Sequence, residues 1–498
     1  IEVPCRMKKC QKNQTKYFET KNLKIPLLPE KEFRAGCKGK RENKLKLDHL
    51  NRNVMTELLP QPHDVVVALD IGTTKVCCLA GRRNKHGKLE IVGIGKVESV
   101  GVLRGVVSNI EKTVNAIREA IDIAERQAQM KFRAVHVGIA GQHIKSLQHR
   151  GILTRESDHT EIAHRDIDRL VNDMFKLVLP PGDKIIHVFP QEFTVDSEQG
   201  ITDPVGMCGV RLEANFHIIT GQITAVNNIY RCIEKTGLKV ADLTLEPIAS
   251  ADATLSEEEK QAGVALVDIG GGTTDITVFH EGIIRHTAVI PFGGNVITAD
   301  IKEGCTVMQP QAEKLKVKFG SALANEVFDN RIITIPGLKG RDHKEISEKN
   351  LARIIQARME EVLDYVLWEI RRSGYERKLI GGIVLTGGGA LLANTDKLTE
   401  FHTGMSCRIG VPLEHLAHGY HEKVNSPIFS TAIGLLMRGL QDIDPSKAQK
   451  EEVKPEVNDE PKEPSNVSEE KGATWFDNVF KKTKEWFEAE PDVDFNKK

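Results

Sequence analysis

The sequence predicts an α/β fold in which buried strands alternate with helices, followed by a short amphipathic helix on an unfolded tether. Three observations predict it. Through residues 65–440, continuous apolar runs such as Val65-Val-Val-Ala-Leu-Asp70 alternate with segments of helical spacing, the pattern of sheets covered on both faces. An Asp-Ile-Gly turn ends two of those runs, 198 residues apart. An acidic stretch without Leu or aromatic residues then separates this body from a terminal segment that holds two of the three Trp.

The bulk properties exclude several classes. The chain has 498 residues, with 69 Lys+Arg against 70 Asp+Glu and a net charge of −1. That length suggests several domains. A near-zero charge gives no general attraction to nucleic acid, so no nucleic-acid partner is expected. No run approaches the ~18 apolar residues of a transmembrane helix, and no apolar segment near the start resembles a secretory signal. The nine Cys, odd in number and irregular in spacing, suit reduced thiols rather than a disulfide framework.

The elements follow in chain order. Residues 1–63 read as a basic extension that does not fold. Residues 1–54 hold 15 Lys/Arg against 6 Asp/Glu without sustained periodicity. The chain begins with Ile1, and Met55 is the expected natural start, the alternative being a basic arm. Leu89–Gly95 reads as a strand beside Val65–Asp70, Asn109–Gln129 as a helix, and Ala134–Ala140 as a further buried strand. Ile162–Val178 reads as a helix with antiparallel strands around it. Gly263-Val-Ala-Leu-Val-Asp268 repeats the first strand, Ile346–Arg372 forms a long helix, and Gly382-Ile-Val-Leu-Thr386 gives a third buried strand with a Gly turn after it. On the long helix the apolar positions are Leu351, Ile354, Ile355, Val362, Tyr365, Val366 and Ile370.

The two repeated turns carry the chemistry. Asp70-Ile-Gly72-Thr73-Thr74-Lys75 and Asp268-Ile-Gly270-Gly271-Gly272-Thr273-Thr274-Asp275 each join two strands, with Val76–Ala80 and Ile276–Phe279 on the far side. Gly lets main-chain N–H groups approach phosphate oxygens closely, and the Thr hydroxyls add donors. The carboxylates of Asp70 and Asp268 would then lie beside phosphates, where a divalent cation makes them tolerable. Mg²⁺, which keeps several waters, is the natural choice, held by both through water. Neither turn is a Walker A or dinucleotide-binding loop.

The third turn, Thr386-Gly387-Gly388-Gly389-Ala390, offers bare backbone against a flat base, or else a tight strand-to-helix turn. Between the second and third turns, Glu313 and Lys316 lie three apart on one helix face. They can reach a ribose together, or form a surface ion pair. No Cys/His metal cluster or nucleophilic triad is suggested by spacing. His136 and His187 sit in apolar strands and read as core histidines.

At the other end, residues 441–472 contain ten Asp/Glu, five Lys and four Pro, and read as a disordered linker reaching about 30 Å. On a helical wheel at ~100° per residue, Trp475, Phe476, Val479, Phe480, Trp486 and Phe487 of residues 473–490 share one side, and Asp477, Lys481, Lys484, Glu485 and Glu488 the other. Thr474 is the expected N-cap, with Asp477 three residues on. Such a helix suits a membrane interface, the alternatives being a docked core helix or a protein-binding helix. With three Lys against four acids it has no basic face, so binding would come from apolar insertion.

The order of these motifs resembles the actin / sugar-kinase / heat-shock chaperone ATPase superfamily. Five elements carry the resemblance: Asp70–Lys75, Leu245-Glu-Pro-Ile-Ala-Ser250, Asp268–Asp275, Thr386–Ala390 and Pro427-Ile-Phe-Ser-Thr-Ala-Ile-Gly434. Within that superfamily the chain is most similar to the FtsA family of bacterial cell-division proteins. The residues that point there are Ile185-Ile-His-Val-Phe-Pro-Gln-Glu-Phe-Thr-Val-Asp196, Asp203-Pro-Val-Gly-Met-Cys-Gly-Val-Arg-Leu-Glu213 and the tethered terminal helix.

The resemblance implies an actin-like ATPase fold: two duplicated core halves with a nucleotide cleft between them, two small inserted subdomains, and a C-terminal amphipathic helix. Half one would comprise 64–145, 224–260 and a return at 413–440, with the FtsA-type insert at 146–223. Half two would comprise 261–300 and 377–412, with its own small subdomain at 301–376. The implied cofactors are ATP and Mg²⁺, and hydrolysis is expected to be slow at most. Glu246 occupies the position that places the attacking water, although Glu-Pro at a helix start also suits a cap. The implied role is to polymerise and to tether the ring of FtsZ, the tubulin-like division GTPase, to the cytoplasmic face of the inner membrane, helping recruit other division proteins. The implied partners are FtsZ, further copies of this chain, membrane lipid and those division proteins. The alternative is a soluble actin-superfamily ATPase, chaperone-like or a small-molecule kinase.

Overall fold

The computed structural model describes residues 64–155, 160–337, 342–412 and 424–442, with Leu59, Pro60 and Leu416 besides. Within the extension 1–63, expected not to fold, Leu59 and Pro60 pair in parallel with Met130 and Lys131. The rest of that extension, the linker from residue 443 onward and the whole segment 473–490, including its six apolar residues, lie outside the described residues.

Half one begins with a three-stranded antiparallel meander, β1 (Val66–Ile71), β2 (Lys75–Arg83) and β3 (Leu89–Glu98). Helix α1 (Ile110–Ala128) opens on Asn109, whose side chain accepts from the Lys112 N–H at 3.0 Å, and closes on Gln129 in the left-handed conformation. It lies directly on β3 at Gly95, where a β-carbon would come within 1.8 Å of the Ala120 carbonyl oxygen. Strand β4 (Ala134–Ile139) then runs parallel to β1.

Residues 145–222 leave that sheet and fold around a core of their own. Strands β5 (Lys145–Thr154), β6 (Asp183–Val195), β7 (Glu198–Ile201) and β8 (Arg211–Gln222) pair antiparallel in the order β7-β6-β8-β5. Helix α2 (His164–Met174) covers one face, burying Leu170 against Leu212, Phe216 and Ile218. The helix is shorter than the periodicity of Ile162–Val178 suggests, and Val178 is 98% exposed. Three residues after the helix, Leu177 and then the Pro180-Pro181 pair begin an irregular return to β6.

The chain returns through α3 (Ile223–Glu234) to β9 (Lys239–Leu245), which completes a mixed sheet of order β9-β4-β1-β2-β3. Helices α4 (Glu246–Thr254) and α5 (Glu257–Ala262) lead to half two. Here the plan repeats. Strands β10 (Val264–Ile269), β11 (Thr274–His280) and β12 (Ile283–Ile290) form the antiparallel meander. Helices α6 (Gly294–Gly304) and α7 (Gln309–Phe319), hairpin β13 (Ile332–Ile335) and β14 (Lys344–Ser347), and α8 (Glu348–Arg372) follow. Strand β15 (Ile383–Thr386) runs parallel to β10, and β16 (Cys407–Ile409), beyond α9 (Thr395–Thr403), runs parallel to β15. The sheet order is β12-β11-β10-β15-β16, the same sequence of antiparallel and parallel pairs as in half one.

The long helix starts two residues later than its periodicity suggests. Ile346 ends in β14, and the Ser347 hydroxyl caps α8 by accepting from the Asn350 N–H at 3.3 Å. Leu351, Ile355, Val362, Val366 and Ile370 are fully buried, whereas Tyr365 is 46% exposed and packs edge-on against Phe292. Finally α10 (Ser430–Asp442) crosses back over half one against α4. It continues through Asp442, into the stretch that composition assigns to the linker. Among the described residues no helix is long and apolar enough to cross a membrane.

Candidate functional site

The two repeated turns meet. Each is closed by the same main-chain bond, Gly72 N–H to Lys75 O and Gly270 N–H to Thr273 O, both at 2.9 Å. They stand in contact, because a β-carbon on Gly271 would lie 2.2 Å from Thr74 Cγ2, and one on Gly272 would lie 2.5 Å from Thr73 Oγ1. The Thr73 hydroxyl also accepts from the Gly105 N–H at 3.2 Å. The turns floor a cleft of about 390 Å³ between the halves.

The expected residues are nearly all on its wall: Asp70, Gly72, Thr73, Thr74, Lys75, Glu246, Asp268, Gly270, Gly271, Gly272, Thr273, Glu313, Lys316, Gly387, Gly388 and Gly389. Thr274 is the exception. It is fully buried and its hydroxyl donates to the Phe292 carbonyl at 2.9 Å, because alternation in β11 turns it away from the cleft.

Four carboxylates and one ammonium dominate the electrostatics. Lys75 forms an ion pair with Asp70. Burial disfavours the Lys75 charge, but Asp70, Cys77 and Glu246 outweigh it, so its pKa is raised above that of an ordinary lysine. Asp268 accepts from Ser250 Oγ at 2.8 Å and Thr431 Oγ1 at 3.4 Å. Burial nevertheless raises its pKa. Asp275 accepts from Thr273 Oγ1 at 3.1 Å, its second oxygen has no partner, and burial with the adjacent Asp268 charge pushes it up to about 8. Burial, then Asp70 and Asp275, hold Glu246 well above the carboxylate range.

Glu246 is the first residue of α4, with Pro247 behind it. Its side chain lies over Gly138, where a β-carbon would come within 2.8 Å of Cγ. No main-chain amide of α4 bonds to its carboxylate, so the expected alternative of a helix cap is not what the geometry displays. The far wall is built differently. Lys316 Nζ donates to Gly294 O at 2.9 Å and pairs with Glu313 at 2.8 Å, while Thr298 donates to Glu313 at 2.5 Å. The expected ion pair is thus present, on the cleft rather than on open surface. Gly387 and Gly389 pack tightly on Asp268 and Ile269, whereas nothing lies within 4 Å of the β-carbon position at Gly388. That open backbone, with Val317, Leu391, Leu392 and Ile428 also lining the cleft, makes a partly apolar ledge.

Several residues of the site were not singled out from the sequence. Asp275 faces Asp268 across the β10–β11 hairpin, a pairing set by the tight Gly270–Thr273 turn and not drawn from the sequence. Ser250 and Thr431, which hold Asp268, come from segments far apart in the chain. Lys96, Gly294 and Asn295 also border the cleft. Of the two histidines expected to be core residues, His187 Nε2 accepts from the Leu245 N–H at 3.1 Å, while His136 Nδ1 has no partner. Among the described residues, no three His, Cys, Asp or Glu side chains form a ready-made metal site.

Comparison with known proteins gives consistent matches. The family described as Cell division protein FtsA matches residues 265–434, and the SHS2 domain inserted in FTSA matches residues 141–220. A cell division protein FtsA of Pseudomonas aeruginosa is 41% identical over 404 residues, covering 81% of this chain and 96% of that protein. The FtsA of Escherichia coli K12 is 36% identical over 384 residues, covering 75% and 90%. Among solved structures, the PilM-PilN type IV pilus biogenesis complex aligns with a TM-score of 0.55 over 76% of this chain and 99% of that one. Its sequence identity is 16%, so the likeness is one of fold.

Proposed function

The chain belongs to the FtsA family of cell division proteins, and on that footing we propose that it binds Mg-ATP in the cleft, assembles into an actin-like protofilament and tethers the FtsZ ring to the cytoplasmic face of the inner membrane. Its mixed α/β fold is actin-like, with two mixed five-stranded sheets and an SHS2 insert. The observation that carries the nucleotide reading is the meeting of two like Gly-Thr turns, one from each half, over a floor of buried carboxylates.

The residues fit that ligand. Main-chain N–H groups and hydroxyls of 72–74 and 270–273 suit phosphate oxygens. The buried, mutually repelling Asp70, Asp268 and Asp275 suit a cation that neutralises them, and the unpartnered Asp275 oxygen is left for such a neighbour. With no complete ligand set among the described residues, Mg²⁺ would keep waters and phosphate oxygens in its shell. Lys316 and Glu313 suit a ribose, and the ledge at Gly388 suits a base. When bound, the cation neutralises charge on the phosphates. Glu246, at the start of α4 on the cleft wall, would orient a water, and its raised pKa would let it hold a proton there. Slow turnover fits a nucleotide that serves chiefly to join the two halves.

The apolar side of residues 473–490 would supply the lipid attachment, with FtsZ, further copies of the chain and other division proteins as partners. Co-sedimentation with liposomes, with and without Mg-ATP, tests the whole reading. Full-length chain should pellet with lipid, more so with Mg-ATP, and chain truncated after Asp444 should bind ATP but stay in the supernatant. Equal pelleting by the truncated chain rejects the tether, since the lipid contact then lies outside the tail, and a full-length chain that stays in the supernatant with and without Mg-ATP favours a soluble actin-superfamily ATPase.

A further inference from the structure

The insert of residues 145–222 interrupts half one in sequence, yet it grips both halves. Strand β12 is an edge strand of the half-two sheet, so its outer main-chain groups need partners. They find them in side chains from three neighbouring strands of the insert. Ser146 Oγ donates to Thr287 O at 3.0 Å, and Gln191 Nε2 donates to Ile284 O at 2.8 Å and Arg285 O at 3.3 Å. His217 Nε2 lies 2.9 Å from Thr287 Oγ1, and Arg285 pairs with Glu192 at 2.5 Å. Beneath these, Ile219 of the insert belongs to the half-one core, and Ile284 and Val289 of β12 pack against the same cluster.

The other grip is on half one. His187, on β6, accepts from the Leu245 N–H, the residue immediately before Glu246. The insert therefore touches the strand end from which Glu246 projects and the edge strand of the opposite half. None of Ser146, His187, Gln191 or His217 lines the cleft.

From this geometry we propose that the insert is a relay of the cleft's state. Closure of the halves on a nucleoside triphosphate shifts β12 across the insert while His187 holds the insert to the start of α4. The insert's setting then follows the nucleotide, and by reciprocity a ligand that fixes the insert changes nucleotide affinity. The contact is suited to this because its polar part is made of side-chain bonds to an edge strand and not of a continuous sheet. Such bonds exchange without breaking either sheet, and polar contacts between domains of one chain permit relative motion. The proposal rests on the nucleotide reading of the cleft.

The test is amide hydrogen exchange on the full chain, with and without Mg-ATP. It compares wild type with the triple variant Ser146→Ala, Gln191→Ala, His217→Phe. In wild type, Mg-ATP should slow exchange in 268–275 and also in 183–192 and 283–290. In the triple variant, slowing in 268–275 should persist, the response of 183–192 should vanish, and ATP affinity should change by about fivefold or more. A wild type in which 268–275 responds but 183–192 and 283–290 do not overturns the relay and leaves the nucleotide site standing. A triple variant that transmits like wild type also overturns it. No response in 268–275 removes the nucleotide reading and the relay with it. Should the triple variant fail to fold by circular dichroism, Thr287→Val and Gln191→Ala serve singly. Each should weaken the response of 183–192, and an unchanged response in both overturns the relay.

Discussion

Gly271 in the second turn stands against Thr74 in the first, so closely that a β-carbon on Gly271 would lie 2.2 Å from Thr74 Cγ2 and 3.1 Å from Oγ1. At this point the halves approach through backbone on one side and the Thr74 side chain, methyl foremost, on the other. Anything added at Gly271 must push the turns apart.

Gly271→Val should therefore weaken Mg-ATP binding by at least about tenfold, with the far-ultraviolet circular dichroism unchanged. Gly271→Ala should weaken it less, and Thr74→Ser, which removes the offending methyl, should restore part of the loss. Asp268→Ala should also lose binding, since it removes the carboxylate that Ser250 and Thr431 hold in place. Isothermal titration measures all four. Wild-type affinity in both Gly271→Val and Asp268→Ala rules out the cleft as the nucleotide site.

Asp275 offers a test without nucleotide. Its folded pKa, about 8, lies above its unfolded value, so the stability it leaves intact at acid pH is lost as pH rises toward and through 8. Asp275→Asn cannot ionise. In metal-free buffer its stability relative to wild type should grow between about pH 4 and 8, by at most about 1.4 kcal/mol per pH unit. Urea unfolding at pH 5 and pH 9 measures this, and an equal difference at both refutes the assignment.

His143 gives the opposite dependence. It is buried with both ring nitrogens unpartnered, and burial lowers its pKa to about 4. A histidine depressed in the folded state is protonated first in the unfolded chain, so stability falls as pH drops from about 6.5 toward 4. His143→Phe keeps the site filled without that proton. Its loss of stability over the same window should be shallower than that of wild type, and parallel urea curves from pH 7 to 4.5 contradict the prediction.

Trp486→Glu probes the terminal segment, which lies outside the described residues. A fully buried aromatic contributes roughly 1.5–3 kcal/mol, less at an interface, against an ordering cost of about 1–2 kcal/mol per residue of helix backbone. One helix should bind lipid weakly, and assembly should amplify it by presenting many helices to one surface. Trp486→Glu should cut liposome pelleting strongly at every protein concentration while leaving ATP affinity as in wild type. Undiminished pelleting places the lipid contact elsewhere.

What the sequence determines on its own is whatever chemistry is contiguous. The two Asp-Ile-Gly hairpins, the Gly387–Gly389 turn and helix α1 were all readable, because a strand, a tight turn and a helical face each depend on residues a few positions apart. Local reading fails where ends or neighbours are set from afar. Helix α2 stops at Met174 although its pattern continues, Ile346 joins a strand because β13 pairs with it, and Thr274 turns its hydroxyl to Phe292. Only the tertiary structure decides that Ser250 and Thr431 converge on one carboxylate, and that the insert reaches β12. The physical reason is the same in each case. Burial of charge, unpaired edge-strand carbonyls and close approach at Gly271 are properties of surfaces brought together from positions up to two hundred residues apart, and no spacing along the chain encodes which surfaces meet.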